Sequence, residues 1–471
     1  MNEKKTKVVA TISDLNCGVD FLEKLYSEGM NVVRLNTAHQ SIEGSLKVIK
    51  NVREVSDKIP ILIDTKGPEI RTNKIETEWI FKKGEEILIK GDKDKLPDGK
   101  ILYVSYVNIA KDVGVGKTIL IDDGEMEFEV IKKQNDSLVC KVMNDGKLRG
   151  RKTVNIPGVQ VKLASITKKD IEYIEFACNH DVEFIAHSFV RNKEDVLAVQ
   201  KVLDKHKSKA KIIAKIENQE GVDNLEEILD YSYGVMVARG DLGVEVAAEK
   251  IPKIQFDIVK RCIERKKPVI VATQMLHTMI ENPRPTRAEI SDVANAIRMG
   301  SDAVMLSGET AYGKYPINAV KVMSNVAHEV EKEFSGKVKN LPRTAHDKDI
   351  PVFLSRMAVV ACSHLPIRVI VTDTLSGRTA RYLSSFRGDK LIFANCYDKI
   401  VAKQLALSRG VYATYIKKTK DRDEFVHASI KYLLKKKKMN KSDLILILAG
   451  SFGPSNGASF VEIASIEDLS R

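Results

Sequence analysis

The sequence predicts an α/β protein: a (β/α)8 barrel with an inserted small β-barrel lid domain and a C-terminal open α/β domain. Eight short apolar runs, alternating with amphipathic helical patterns, carry the barrel. After the third run, short strand-like segments punctuated by Gly, Asp and Asn interrupt the rhythm. A second, shorter strand–helix series begins near Leu341-Pro342-Arg343, after a charged stretch. These divisions put the barrel in residues 1–67 and 156–340, the lid in 68–155 and the C-terminal domain in 341–471. A chain of 471 residues exceeds what one core holds together, so several domains are expected.

Taken in order, the expected barrel strands are 8–12, 31–36, 60–65, 184–190, 211–217, 234–239, 268–274 and 303–308. Most are continuously apolar, the pattern of parallel strands covered on both faces. Between them, Val196, Val199 and Leu203 share one helical face, as do Ile290, Val293, Ala294 and Ile297. Thr286 and Glu289 have the spacing of a capping box that starts the second of these helices. In the insertion, strands are expected at 86–90, 101–106, 118–122, 125–132 and 137–142. At the barrel mouth such a unit is placed to close as a lid and exclude water. The C-terminal series has strands at 368–373, 391–396, 411–416 and 444–449.

Composition narrows the function classes. Hydrophobic residues at 43% and charged residues at 30% describe an ordinary globular chain. No apolar run reaches the roughly 20 residues that span a bilayer. The opening Met1-Asn2-Glu3-Lys4-Lys5-Thr6-Lys7 runs straight into a strand pattern, so no secretory signal is expected. Six scattered cysteines form no C-x-x-C pair and fit reduced thiols of a cytoplasmic protein. The net charge of +12 is mostly an excess of lysine without interleaved aromatics, so neither nucleic acid nor membrane is expected as a partner. The run Lys435-Lys436-Lys437-Lys438 ends a helical stretch, where cations suit the helix dipole.

Barrel enzymes place their chemistry at the C-terminal ends of the strands. Six of the eight ends carry charge or hydroxyl: Arg34-Leu35-Asn36, Asp64-Thr65-Lys66, Lys215-Ile216-Glu217, Arg239-Gly240-Asp241, Thr273-Gln274 and Ser307-Gly308-Glu309. Any one of these reads better as a helix cap or ion pair, but all together they mark a catalytic rim. Lys215 and Glu217 stand two apart on a strand and so point to the same face. Asp241, one strand on, is placed to share a cation with Glu217; two carboxylates plus substrate oxygens suit Mg²⁺. The Lys215 ammonium beside them suits a transferring phosphoryl group. Arg34 and Arg71 have the fork geometry for phosphate.

Two other signals fail. Gly114-Val115-Gly116-Lys117-Thr118 lacks the first glycine and the strand-to-helix setting of a P-loop. The nine histidines show no metal-ligand spacing, although His39 stands where it could touch a phosphate.

Long ordered segments now carry a resemblance to pyruvate kinase along nearly the whole chain. They are Asp64-Thr65-Lys66-Gly67-Pro68-Glu69-Ile70-Arg71-Thr72, Ile212-Ile213-Ala214-Lys215-Ile216-Glu217-Asn218-Gln219-Glu220-Gly221, Met236-Val237-Ala238-Arg239-Gly240-Asp241-Leu242-Gly243 and Ala272-Thr273-Gln274-Met275-Leu276, with 283–296 and 305–311. The resemblance implies transfer of the phosphoryl group of phosphoenolpyruvate to ADP, giving pyruvate and ATP. It implies Glu217 and Asp241 as ligands of Mg²⁺ or Mn²⁺ and Lys215 as stabiliser of the transferring group. Thr273 and Ser307 become the proton-delivery pair, supported by Glu309. Arg34 and Arg71 grip phosphates, and the backbone of Gly240 and Asp241 holds the substrate carboxylate. His39, and Lys152 within Arg151-Lys152-Thr153-Val154-Asn155-Ile156-Pro157-Gly158, become nucleotide contacts. Asn36, Asp64 and Thr65 become K⁺ ligands.

The chain departs from the family wording in three places. Ala38 stands where the family has a serine hydroxyl on K⁺, while the acidic Glu69 typical of K⁺-dependent members is present. The first loop, Thr11-Ile12-Ser13-Asp14-Leu15-Asn16, lacks the usual Gly-Pro-Ala-Ser. Ser376-Gly377-Arg378-Thr379 resembles an effector loop for a sugar phosphate or nucleotide and reads equally as a helix cap, while the distal 450–457 segment differs in wording. The resemblance also implies a homotetramer. Two competing readings remain: a metal-dependent lyase or aldolase on the same enolate, and a catalytically weak effector- or nucleic-acid-binding protein. The lid lysine and phosphate-binding arginines count against the first, and the intact Lys215, Glu217, Asp241 and Thr273 against the second.

Overall fold

The computed structural model describes residues 3–334, 349–437, 439–450 and 457–470. Eight parallel strands close into a barrel: Lys7–Thr11, Val32–Asn36, Ile61–Asp64, Phe184–His187, Lys211–Ile216, Gly234–Ala238, Val269–Ala272 and Ala303–Leu306. Each pairs with the next, and the first closes on the last with Lys7 opposite Ala303. The predicted (β/α)8 barrel is therefore present. Its strands end earlier than the apolar runs do. Strand four stops at His187 because Phe189 adopts φ 56, and strand seven stops at Ala272 because Thr273 and Gln274 adopt φ 68 and 52. These left-handed residues break the ladder where functional side chains begin.

Alternation on the strands divides the core in two. Val9, Val32, Leu62, Phe184, Ile213, Met236, Ile270 and Met305 fill the barrel interior. The other set, among them Val8, Val33, Ile63, Ile212, Val235 and Val304, packs outward against the helices. Those helices start at side-chain caps such as Ser41, Asn192 and Thr286, the last in the expected capping box with Glu289. On the predicted face, Val293, Ala294 and Ile297 are buried and Ile290 is exposed. It lies on the same face one turn earlier, at the helix start, where the packed layer ends.

Between strands three and four the chain builds an antiparallel-rich sheet. Its order is Ile70–Arg71, Thr153–Asn155, Thr118–Ile121, Met126–Gln134, Ser137–Val142, Glu86–Gly91 and Ile101–Val104. A bridge from Thr72 to Val104 joins the two outer strands, closing the sheet around Phe81, Ile89, Ile119, Phe128 and Leu138.

The C-terminal sheet runs Val411–Tyr415, Ile392–Cys396, Val369–Thr374, Leu444–Ala449 and Phe460–Ser465. Sequence reading missed the last strand, which pairs antiparallel at the edge; half-exposed residues leave its periodicity faint. The expected boundary at Leu341-Pro342-Arg343 and the middle of the 450–457 segment lie outside the described residues. The lysine run begins on the helix Arg422–Lys437, but the side chains of Lys436, Lys437 and Lys438 lie outside them too.

This sheet's neighbourhood plugs the barrel base. Leu407 enters the interior cluster, and Lys7 donates to the Val411 carbonyl at 2.7 Å beneath the Tyr412 ring. Asp302, just before strand eight, takes both Nη atoms of Arg387 (3.1 and 2.7 Å) and the backbone N–H of Arg409 (2.9 Å).

Candidate active site

The opposite, C-terminal end of the barrel gathers the charges. Lys215, on strand five, is buried and its ammonium lies 3.1 Å from Asp64 Oδ1 and 2.9 Å from Glu217 Oε1. It donates to Ser188 Oγ at 2.7 Å. Asp64 in turn accepts Arg34 Nε at 2.6 Å, and Arg34 Nη1 donates to Thr11 Oγ1 at 2.9 Å. The backbone N–H of Phe189 donates to Glu217 Oε2 at 2.6 Å. Thus the ends of strands one to five converge on one buried ionic cluster.

Burial and charge set the protonation states. Burial works against the Lys215 ammonium, but Asp64, Glu217 and Asp241 outweigh it and hold its pKa above the lysine range. Burial also works against the Asp64 carboxylate, yet Arg34 and Lys215 pull its pKa below the ordinary value. Glu217 is pushed upward, first by burial and further by Asp241, against the pull of Lys215. Three carboxylates face two cations here, so negative charge is in excess. Glu217 Oε1, although 2.9 Å from the ammonium, lacks hydrogen-bond alignment and has no hydrogen-bond partner among the described residues. A buried, under-compensated carboxylate of this kind suits a divalent cation shared with Asp241. No group of three or more His, Cys, Asp or Glu that could hold a metal occurs among the described residues.

Strands six to eight supply a second arc. Thr273, a β-branched residue held at φ 68, donates Oγ1 to the Ala272 carbonyl (2.6 Å) and accepts the Gly240 N–H (2.8 Å). The Gly240 N–H expected to face a substrate carboxylate is therefore engaged with Thr273. Arg239 clamps this turn, donating to the Thr273 carbonyl at 2.7 Å and pairing with Asp292 at 2.8 Å. Glu309 is buried and takes the N–H groups of Ser307 (2.7 Å) and Leu276 (3.1 Å), tying strands seven and eight together. Ser307 Oγ is buried with no hydrogen-bond partner among the described residues.

The remaining predicted residues stand apart from this cluster. Arg71 pairs with Glu69 at 2.5 Å and donates to the Arg151 carbonyl, and Lys152 pairs with Asp122 at 2.6 Å. Both charges are thus held within the inserted β unit. His39 is exposed. Asn36 Oδ1 accepts the Ala38 N–H at 3.1 Å, and Thr37 Oγ1 donates to the Asp64 carbonyl at 2.9 Å. Thr65 Oγ1 accepts the Ser188 N–H. In the C-terminal unit, Gly377 takes φ 78 and opens the helix Arg378–Ser385, with Ser376 accepting from Arg381 and Thr379 buried. A cleft of about 440 Å³ runs from Asp241 between barrel and insertion, past Phe189, Asn218, Glu220 and Glu245.

Sequence reasoning missed Thr11, Ser188 and Asp292, and it placed Arg239 at the rim without giving it a role. Thr11 and Ser188 close the two strand ends that carry no ionic signal. Extending strand four to residue 190 hid Ser188 inside an apolar run. Applying the strand-end rule to every strand, hydroxyls included, would have found both.

Sequence models described as "Pyruvate kinase, barrel domain" and "Pyruvate kinase, alpha/beta domain" match residues 3–320 and 353–464. A pyruvate kinase of Borreliella burgdorferi is 47% identical over 99% of this chain and 98% of its own. One from Bacillus licheniformis is 43% identical over 99% of this chain and 81% of its own. A crystal structure of a pyruvate kinase from Cryptosporidium parvum superposes with a TM-score of 0.92 at 34% identity, covering 98% of this chain and 96% of that one.

Proposed function

Because the chain belongs to the pyruvate kinase family and transfers the phosphoryl group of phosphoenolpyruvate to ADP, yielding pyruvate and ATP in the last step of glycolysis, we propose that Lys215, Glu217 and Asp241 carry this chemistry. The observation that supports the assignment is the buried Lys215 ammonium, held between Asp64 and Glu217 at the barrel mouth. A fixed positive charge in a dry site stabilises a transferring phosphoryl group far better than one in water. Arg34, oriented by Asp64 and Thr11, presents its remaining guanidinium donors to the phosphate; Arg71 does so from the insertion once freed from Glu69.

The family generally uses Mg²⁺ and K⁺. Glu217 and Asp241 are the residues we assign to Mg²⁺ or Mn²⁺; when bound, a divalent ion would neutralise charge on phosphate and enolate oxygens. Thr273 and Ser307 are assigned to deliver a proton to the enolate carbon, supported by Glu309, which accepts the Ser307 backbone N–H. Gly240 and Asp241 hold the substrate carboxylate after Thr273 releases the Gly240 amide. His39 and Lys152 contact the nucleotide when the lid closes. Asn36, Asp64 and Thr65 are assigned to K⁺, at a site poorer in oxygens than the family pattern. Ala38 offers no hydroxyl, and that of Thr37 is spent on the Asp64 carbonyl.

Ser376 to Thr379 form the effector loop for a sugar phosphate or nucleotide in this reading. A homotetramer is supported by an apolar stripe of Ile350, Phe353 and Met357, exposed along one face of the helix Ile350–His364. No helix among the described residues is long and apolar enough to cross a membrane, and the six free cysteines support the cytoplasm as location. The deciding assay measures pyruvate formation from phosphoenolpyruvate and ADP with Mg²⁺ for the parent and Lys215→Met. A fall of about 10³-fold or more is expected; near-parental turnover would remove Lys215 from this role.

A further inference from the structure

Ser188 lies just beyond strand four and links Lys215, Asp64 and Thr65. Its Oγ accepts from Lys215 Nζ at 2.7 Å, donates to the Thr65 carbonyl at 2.6 Å and lies 3.3 Å from Asp64 Oδ1. Its backbone N–H donates to Thr65 Oγ1 at 3.1 Å, and the next residue, Phe189, donates to Glu217 Oε2. Ser188 is itself buried, and strain at Phe189 (φ 56) turns the chain here.

From this geometry we propose that Ser188 is a positioning residue for Lys215, an inference resting on the role assigned to that lysine above. An ammonium has three donors. In this structure the ammonium lies within 3.1 Å of Asp64, Glu217 and Ser188, and its aligned hydrogen bond is the one to Ser188 Oγ. Without the third acceptor, the ammonium would be drawn fully onto the two carboxylates. Ser188 is the neutral partner, and a hydrogen bond to a neutral acceptor is weaker than one to a carboxylate. It therefore keeps the ammonium in place while leaving its positive charge less neutralised for an anionic phosphoryl oxygen. A hydroxyl anchored on the Thr65 carbonyl keeps its lone pairs turned toward the ammonium. Ser188 thus aims the positive charge at the substrate without competing for it. No bond to substrate is required of Ser188, so its effect falls on the transition state more than on ground-state binding.

The test is a kinetic cycle of Ser188→Ala, Ser188→Thr, Lys215→Met and the Ser188→Ala/Lys215→Met pair. Thermal unfolding and phosphoenolpyruvate binding by protein fluorescence are followed alongside. Ser188→Ala should lower kcat about 10- to 100-fold, the worth of a hydrogen bond to a charged group, with KM for phosphoenolpyruvate within about twofold. Ser188→Thr should regain most of the loss. In the Lys215→Met background Ser188→Ala should cost almost nothing more. Parental kcat in Ser188→Ala, or the same fold-loss with and without Lys215, overturns the positioning role. Near-parental turnover in Lys215→Met alone overturns the underlying assignment of the lysine instead. Should Ser188→Ala fail to fold, Ser188→Cys, nearly isosteric with a weak acceptor, must show the same selective kcat loss; a parental value there also refutes the proposal.

Discussion

Replacing Asp64 by asparagine tests whether the active-site cluster is held by charge or by shape. The change preserves volume but removes the carboxylate facing both Arg34 (2.6 Å) and Lys215 (3.1 Å), at a residue 1% exposed. At those distances and an effective dielectric of about 20, each attraction is roughly 5–6 kcal/mol before desolvation. Desolvation offsets most of that in the intact pair, but it is not recovered when one partner is removed. The expected net loss is therefore about 3–5 kcal/mol. Asp64 has a folded pKa below its unfolded value, so its charge contributes stability that is fully present above about pH 4. That contribution is lost as the pH falls through the lower folded value. The measurement is urea unfolding of parent and variant at pH 7 and at steps down to pH 3. The gap should be constant near neutrality and narrow on the acid side. A difference below about 1 kcal/mol at pH 7, or a gap that widens with acid, would refute the electrostatic account.

Three further outcomes follow from the same structure. Asp302→Ala should destabilise by about 3–5 kcal/mol because it strands the Arg387 guanidinium at the barrel base, whereas Asp302→Ala with Arg387→Leu should lose less, as unfolding midpoints will show. Leu407→Ala should cost about 2–5 kcal/mol, read by thermal unfolding, because the side chain is fully buried in the barrel interior. Ala38→Ser should increase the ratio of turnover in K⁺ to turnover in a bulky organic cation; an unchanged ratio would show that position 38 does not face the monovalent ion.

The barrel was legible because its strands are covered on both faces, so each reads as a continuous apolar run and the count survives errors at the ends. The charged site was legible for the same reason: Lys215 and Glu217 at the end of an apolar strand need a function or a partner, and here they pair at 2.9 Å. Strand ends were less visible, since Phe189 and Thr273 terminate their strands by left-handed backbone that apolar pattern does not encode. The edge strand Phe460–Ser465 escaped because it is only half covered. Ser188 and Thr11 escaped because a neutral hydroxyl is readily buried once its hydrogen bonds are met, and so leaves no conspicuous mark in a strand.

By itself the sequence determined the order of the elements, the barrel and its inserted and C-terminal units, and the residue types at the rim. Periodicity and burial preference are local properties of the chain. The tertiary structure alone decided which rim residues meet. It made Asp64 the bridge between Arg34 and Lys215, put Ser188 under the ammonium, and left Arg71 and Lys152 paired within the insertion. The contacts at the rim join residues 27 to 151 positions apart in the chain, from Lys215 and Ser188 to Lys215 and Asp64. Electrostatic energy depends on distance in space, and closure of the barrel is what sets it.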